Sequence, residues 1–392
     1  MNFVLPDGVK KIINKLREGG HRADVVGGAV RDLFLGRETN DYDVTTDALP
    51  ERVKEIFSDE RTIDTGIKHG TVTVLLDGVG YEVTTYRRDG EYTDSRHPDS
   101  VTFTECLEDD LSRRDFTMNA IAYNELDGIT DPFFGREDIE KRIIRTVGDA
   151  KVRFTEDALR IIRALRFSSV LGFRIEEGTR VAINEKRELL GNVSVERIYT
   201  ELYKLLSGEG AYSVIFDFPE VFSLILPEVD ILLLPFGKSE NPLVRLGAIF
   251  ALNSENPSGA IDLAMKRLKT DTGSRETLRD ALRIYSEREM SSLSDMLFIL
   301  RDFGEETALC AVEIGREVGR YGEREKKLLC DALKSGIPYT LSALAVGGRD
   351  MMALGLRAEA IGRTLDTLLS FVIKGECENT KDSLLACVAE IK

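Results

Sequence analysis

The chain has no tryptophan, three histidines, five cysteines and no apolar run long enough to cross a bilayer. Each scarcity excludes something. Its apolar stretches, such as Ile231–Leu234 and Leu297–Leu300, fall far short of the roughly 20 residues that a membrane helix needs. The stretch up to Gly20 alternates apolar and basic residues at helical spacing and has no signal-peptide core, which predicts a first amphipathic helix and a cytoplasmic protein. Cys106, Cys310, Cys330, Cys377 and Cys387 are odd in number and widely spaced, with no C-x-x-C pair. That pattern disfavours structural zinc and a disulfide framework and predicts reduced thiols. None of His21, His69 and His97 is followed by Asp, which argues against a histidine–aspartate metal phosphohydrolase module.

What is present describes a globular protein. With 392 residues, 42% hydrophobic and 31% charged, the chain can bury a real core and is long enough for two to four domains. A net charge of −15 speaks against a nucleic-acid partner, yet phosphate binding needs only a local basic face. From Arg136 to Arg187 there are 13 Lys and Arg against 9 Asp and Glu, a basic segment inside an acidic protein.

The texture changes along the chain. Up to about Thr146 strands and helices mix. Asp24–Val26 reads as a strand running into Gly27-Gly28, Ala29–Gly36 as a helix, and Tyr42–Thr45 as another strand. A short helix is expected at Glu51–Phe57 behind Pro50, and Thr71–Leu76 with Tyr81–Tyr86 forms a hairpin around Asp77–Gly80. Beyond about Lys151 the pattern is helical, over Glu156–Leu171, Glu196–Leu206, Pro242–Leu252, Arg275–Ser286, Ser291–Arg301 and Arg357–Ile373. Ser254–Gly259 reads as a mobile loop. The expectation is an α+β head followed by an elongated all-α remainder.

Three constellations carry chemistry. In Gly27-Gly28-Ala29-Val30-Arg31-Asp32 two glycines let the backbone approach a phosphate, a helix follows, and Arg31 stands one turn in. Asp41 and Asp43 come directly after. Two residues apart on a strand they face one side, and two convergent carboxylates suit Mg²⁺, an oxygen-seeking cation that bridges to substrate phosphates. Two-metal phosphoryl transfer calls for a third carboxylate on a neighbouring strand, and Glu82 has that setting. The second constellation is Arg113–Ala120, where adjacent arginines precede a small apolar helix and can clamp phosphate, with Asp115 as a candidate helix cap. The third is Glu156–Arg166. Helical spacing puts Ala158, Ile161, Ile162 and Leu165 on one face and Asp157, Arg160, Arg163 and Arg166 on the other. The ordinary reading of that second face is a solvated stripe; the functional one is an acceptor and a guanidinium meeting the edge of a base.

Taken together these blocks resemble the class II, bacterial-type tRNA nucleotidyltransferases, the CCA-adding family within the DNA polymerase β-like superfamily. The likeness covers Gly27–Asp43, Lys68–Val72, Glu82–Thr85, Arg113–Ala120, Asp131–Gly135, Glu156–Arg166 and Ser194–Ile198, and extends weakly to Val346–Asp350 and Lys374–Glu376. The resemblance implies a head at 1–146, a neck that selects bases at 147–207, a body at 208–310 and a tRNA-binding tail at 311–392. It implies Asp41 and Asp43 as ligands of Mg²⁺, with Glu82 completing the catalytic carboxylates. Gly27, Gly28, Arg31, Arg114 and Asn119 would hold the nucleotide, Asp157 and Arg160 would select C or A, and Arg163 and Arg166 would be further nucleotide contacts. The implied substrates are CTP, ATP and the tRNA 3′ end, with the acceptor and TΨC arms held by backbone shape and no membrane involved.

The same blocks serve CC-adding enzymes, A-adding enzymes and poly(A) polymerases. The chain ends Ala389-Glu390-Ile391-Lys392 without the basic extension usual in the polymerases, and Arg87–Pro98 is intact where CC-adding enzymes lack a loop. From another class, the chain could be a non-catalytic RNA-binding relative; the intact Asp41, Asp43 and Glu82 set weighs against that.

Overall fold

The computed structural model describes residues 3–90, 101–237 and 239–391. The chain divides into two compact units, Met1–Ile225 and Leu226–Lys392. The first begins α1 (Asp7–Glu18), β1 (Ala23–Val26), α2 (Gly28–Phe34), β2 (Asp43–Thr46), α3 (Pro50–Ile56), β3 (Arg61–Gly66), β4 (Thr71–Leu76) and β5 (Val79–Thr85). Then come β6 (Arg87–Asp89), β7 (Val101–Phe103), α4 (Leu107–Ser112), β8 (Ala122–Asn124), β9 (Gly128–Thr130), α5 (Gly135–Glu140) and β10 (Ile143–Ile144). The unit closes with α6 (Ala150–Glu156), α7 (Leu159–Leu171), β11 (Arg174–Ile175), α8 (Glu177–Lys186), α9 (Val195–Leu206), α10 (Ala211–Asp217) and α11 (Pro219–Ile225).

Among the described residues seven strands form one mixed sheet in the order β3-β4-β5-β2-β1-β8-β9, with β2 and β5 its parallel pair. The expected hairpin is present and tighter than expected. Asp77 (φ 51°) and Gly78 (φ 81°) make a two-residue turn, and Leu76 already pairs with Val79. The register positions the chemistry. Val26, the last residue before Gly27-Gly28, pairs with Asp43, and Val44 pairs with Val83, which sets Glu82 on the strand beside Asp43. Val25, Val44, Val72, Val74 and Val83 are fully buried, so the frame is anchored in the core.

Three expectations are revised. Glu156–Leu171 is two helices, not one: Asp157 is extended (φ −138°, ψ 102°) and separates α6 from α7. The strand at Tyr42–Thr45 starts one residue later, at Asp43, which leaves Asp41 two residues outside β2. In the second unit Ser254–Gly259 is no loop throughout, because Asn256 accepts the Gly259 amide and Pro257 opens a helix.

That unit is helical throughout its described elements: α12 (Pro242–Asn253), α13 (Pro257–Arg267), α14 (Thr272–Glu287), α15 (Leu293–Glu317), α16 (Glu323–Lys334), α17 (Gly348–Ala353), α18 (Ala358–Lys374) and α19 (Lys381–Ile391). Asn241, Asp271 and Ser292 cap α12, α14 and α15 through side-chain oxygens. The helix expected over Ser291–Arg301 runs on to Glu317, bent where Gly304 takes φ 80°.

Candidate active site

Where β1 ends, the chain must turn sharply into α2. Gly27 does this at φ 75° and ψ −134°, a conformation a side chain would resist. A Cβ there would also stand 3.1 Å from Nη1 of Arg114, so the second reason for glycine is the close approach of a guanidinium. Around this turn lies a cleft of about 390 Å³ lined by Gly27, Gly28, Ala29, Arg31, Asp32, Thr39, Asp41, Asp43, Arg114, Asp115, Asn119, Arg163, Arg166 and Phe167. Residues from four sequence blocks therefore face one space.

Its carboxylate side centres on Asp43. Burial and the charge of Asp41 push this carboxyl up to about 6; Arg114 opposes the rise and Glu82 adds to it. Like charges crowded onto a half-buried oxygen set ask for a cation, and the donor chemistry, oxygen only, fits a hard divalent ion. Among the described residues no group of three or more His, Cys, Asp or Glu side chains is close enough to hold a metal unaided. Glu82 accordingly does not line the cleft, although its charge reaches Asp43. Two protein carboxylates with water and phosphate completing the shell is a usual arrangement for Mg²⁺.

The opposite side is guanidinium-rich, and each arginine is held by a partner, close in sequence for Arg31 and Arg114 and distant for Arg163 and Arg166. Arg31 donates to Asp32 through Nε (2.9 Å) and Nη2 (3.0 Å), and to Asn119 Oδ1 (2.9 Å). Arg114 reaches Asp110, fully buried in α4, at 3.4 Å, and its Nε is buried with no hydrogen-bond partner among the described residues. Arg163 donates twice to Asp115 Oδ2, at 2.9 and 2.6 Å. Arg166 lies 3.2 Å from Glu201. The ring of Phe167 sits beneath three of these charges, 5.1 Å from Arg31, 5.5 Å from Arg163 and 4.1 Å from Arg166.

Asp115 is the hub. Its Oδ1 accepts the Phe116 amide (2.8 Å) and Asn119 Nδ2 (3.0 Å) while Oδ2 takes Arg163. Burial alone would raise this carboxyl, but Arg163, the Asn119 hydrogen bond and Arg160 outweigh it and hold it at about 2. The helix that Asp115 was expected to cap is a single 3₁₀ turn, Thr117–Asn119. Sequence reasoning missed Asp110, Phe167 and Glu201 altogether. Glu201 left a signal: it lies on the apolar stripe of α9 with Ile198, Leu202 and Leu205, where a carboxylate is out of place without a partner.

Asp157 and Arg160 are not among the cleft-lining residues. The Asp157 carboxylate accepts the Leu159 amide at 3.1 Å and pairs with Arg197 at 3.2 Å. Arg160 is 8% exposed and donates to Glu156 (2.9 Å) and to the Arg113 carbonyl (2.9 Å). The face from Asp157 to Arg166 is therefore no solvated stripe; its charges are spoken for by carboxylates and by Phe167. Residues 91–98 of the segment singled out at Arg87–Pro98 lie outside the described residues.

Family models match in three stretches: "Poly A polymerase head domain" at 23–145, "Probable RNA and SrmB- binding site of polymerase A" at 172–216, and "tRNA nucleotidyltransferase domain 2" at 248–388. A CCA-adding enzyme of Geobacillus thermodenitrificans is 57% identical over 197 residues, 50% of this chain and 48% of that protein, so this match spans about half of each. One from Lactobacillus delbrueckii subsp. bulgaricus is 36% identical over 386 residues, covering 96% of both. The crystal structure of a Bacillus stearothermophilus CCA-adding enzyme in complex with CTP superposes with a TM-score of 0.80 at 35% identity over 98% of each chain. A full-length relative above a third identical, the superposed fold and the shared head together place this chain in the family of CCA-adding enzymes.

Proposed function

We propose that the chain adds C, C and A in turn to the 3′ end of tRNA, using CTP and ATP and releasing pyrophosphate. The observation that carries this reading is the cleft in which Asp41 and Asp43 face Arg31, Arg114, Arg163 and Arg166 across the Gly27-Gly28 turn. Relatives named CCA-adding enzymes, one of them bound to CTP, support it. Membership in a nucleotidyltransferase family implies a divalent metal, and the oxygen-only donors favour Mg²⁺ on Asp41 and Asp43. Bound there, Mg²⁺ would supply Lewis-acid activation of the attacking 3′-hydroxyl and charge neutralisation of the leaving pyrophosphate.

The protein's own part is positioning. Gly27 and Gly28 let the triphosphate approach the backbone, Arg31 and Arg114 take its negative charge, and Asn119 fixes the Arg31 guanidinium. Arg163 and Arg166, tethered to Asp115 and Glu201, present charge from the neck. Glu82 acts on Asp43 from the adjacent strand. In this reading Asp157 and Arg160 select the base by exchanging their present partners, Arg197 and Glu156, for the edge of C or A. The division into head, neck, body and tail is kept as a functional one, with tRNA arms held by the last two; residue 310 falls inside α15. A cytoplasmic location fits a chain with free cysteines and, among its described residues, no helix long and apolar enough to cross a membrane.

The test offers purified protein tRNA lacking CCA, CA or A, with CTP or ATP, and sequences the products. Asp41→Ala and Asp43→Ala should each abolish C and A addition while tRNA binding persists. Incorporation comparable to the native chain in either variant refutes the metal assignment. Homopolymeric A tails would instead favour a poly(A) polymerase.

A further inference from the structure

Three of the five cysteines are unremarkable. Burial pushes the Cys310 thiol up to about 12, which leaves it inert, while Cys106 and Cys330 are exposed and neither faces a second thiol among the described residues. Cys377 and Cys387 differ. Cys377 lies in the turn between α18 and α19, Cys387 within α19, and their Sγ atoms are 2.8 Å apart. The turn is fixed on several sides. Asn379 accepts the Ala345 amide at 2.8 Å and donates to the Ala343 carbonyl at 3.1 Å, Lys381 pairs with Asp350 at 2.6 Å, and Cys377 Sγ also meets Ser383 Oγ at 3.3 Å. The sulfurs are thus held face to face by an ordered turn. Cys377 is buried and Cys387 partly exposed, so an oxidant from solvent meets Cys387 first.

We propose that Cys377 and Cys387 are an oxidative modification site, closing to a reversible intramolecular disulfide when the chain meets a hydroperoxide such as hydrogen peroxide. The Cys387 thiolate attacks one peroxide oxygen, the O–O bond breaks, and the departing hydroxide takes a proton to leave as water. Cys387 is then a sulfenic acid. The Cys377 sulfur attacks it, an S–S bond forms as the S–O bond breaks, and the hydroxide leaves with the Cys377 proton as a second water. Two thiols lose two electrons and one peroxide gains them. The new bond ties the turn to α19 and so resists the opening of that helix.

The full-length chain is treated with near-stoichiometric hydrogen peroxide, its remaining thiols are alkylated, and it is digested with trypsin without reduction. Lys374 and Lys381 are cleavage points, so the link appears as peptide 375–381 joined to the peptide that begins at Asp382, lighter by two hydrogens. Two of the five thiols should disappear and return with dithiothreitol, and neither C377S nor C387S should form the link. Amide exchange in α19 should slow by about tenfold in the oxidised chain. The site is overturned if Cys106 or Cys330 reacts while Cys377 and Cys387 stay alkylatable, or if Cys387 proceeds to sulfinic acid without a link. A link that leaves α19 exchange unchanged overturns the tethering.

Discussion

Replacing Asp115 by asparagine keeps the shape of the hub and removes its charge. In the native chain Asp115 is 9% exposed and carries Arg163 on one oxygen, with Asn119 and the Phe116 amide on the other. Its carboxyl sits at about 2 in place of the ordinary 3.8, so the folded state favours the ionised form by roughly 2.5 kcal/mol. A folded value below the unfolded one means that this stability is present above about pH 4 and is lost as pH falls through about 2. The variant loses more than this linkage. Arg163, whose side chain is 30% exposed, has its next carboxylate, Glu201, 3.9 Å away, and breaking a half-buried pair from one side falls at or below the about 3–5 kcal/mol of a fully buried one. Asp115→Asn should therefore destabilise the first unit by about 3 kcal/mol at pH 7. Guanidinium unfolding followed by far-ultraviolet circular dichroism reads it, since the chain has no tryptophan. A cycle with Arg163→Gln isolates the pair, with an expected coupling of about 2 kcal/mol. If the two substitutions add within about 0.5 kcal/mol, the two residues do not hold one another and the hub argument fails.

Gly27→Ala should cost about 1–3 kcal/mol of stability, from φ 75° alone, and weaken CTP binding through its 3.1 Å approach to Arg114; calorimetric titration and thermal unfolding check both. Arg160→Ala should relax discrimination against GTP and UTP by roughly 5–150-fold. Equal loss with all four nucleotides would instead make Arg160 a prop for Glu156 and the Arg113 carbonyl. Deleting residues 91–96 should spare CC synthesis and remove the terminal A, read by sequencing the products; intact A addition sinks the idea.

Local rules carried most of the fold. The Asp77-Gly78 turn and Pro50, the first residue of α3, act through neighbours in sequence, and so do the caps at Asn241, Asp271 and Ser292, which helical spacing alone does not name. Asn256-Pro257 carries a start signal of the same local kind, a side-chain cap followed by proline, inside a stretch whose Ser, Asn and Gly content reads as a loop. What stayed hidden was set at long range. The break at Asp157 falls in a stretch of good helix formers and coincides with a carboxylate bonded to Leu159 and to Arg197, 40 residues away. Asp115 and Arg163 are 48 residues apart, and nothing in either block alone names the other. The site was therefore legible as residue types facing one chemistry, and illegible as the ion pairs that hold those types still.

The cleft also changes how ionic strength acts on this protein. The chain carries a net charge of −15, and the guanidiniums of the cleft rest on Phe167 and on enclosed carboxylates. At low ionic strength the acidic exterior repels a polyanion from a distance, and physiological salt screens that repulsion beyond about 8 Å. The enclosed arginines pull at contact distance, where salt intrudes less. Salt thus weakens the barrier to approach as well as the grip. A nucleotide should show a shallower loss of affinity with added salt than the number of facing arginines suggests, and its association should be slowed least in the concentrated electrolyte of a cell.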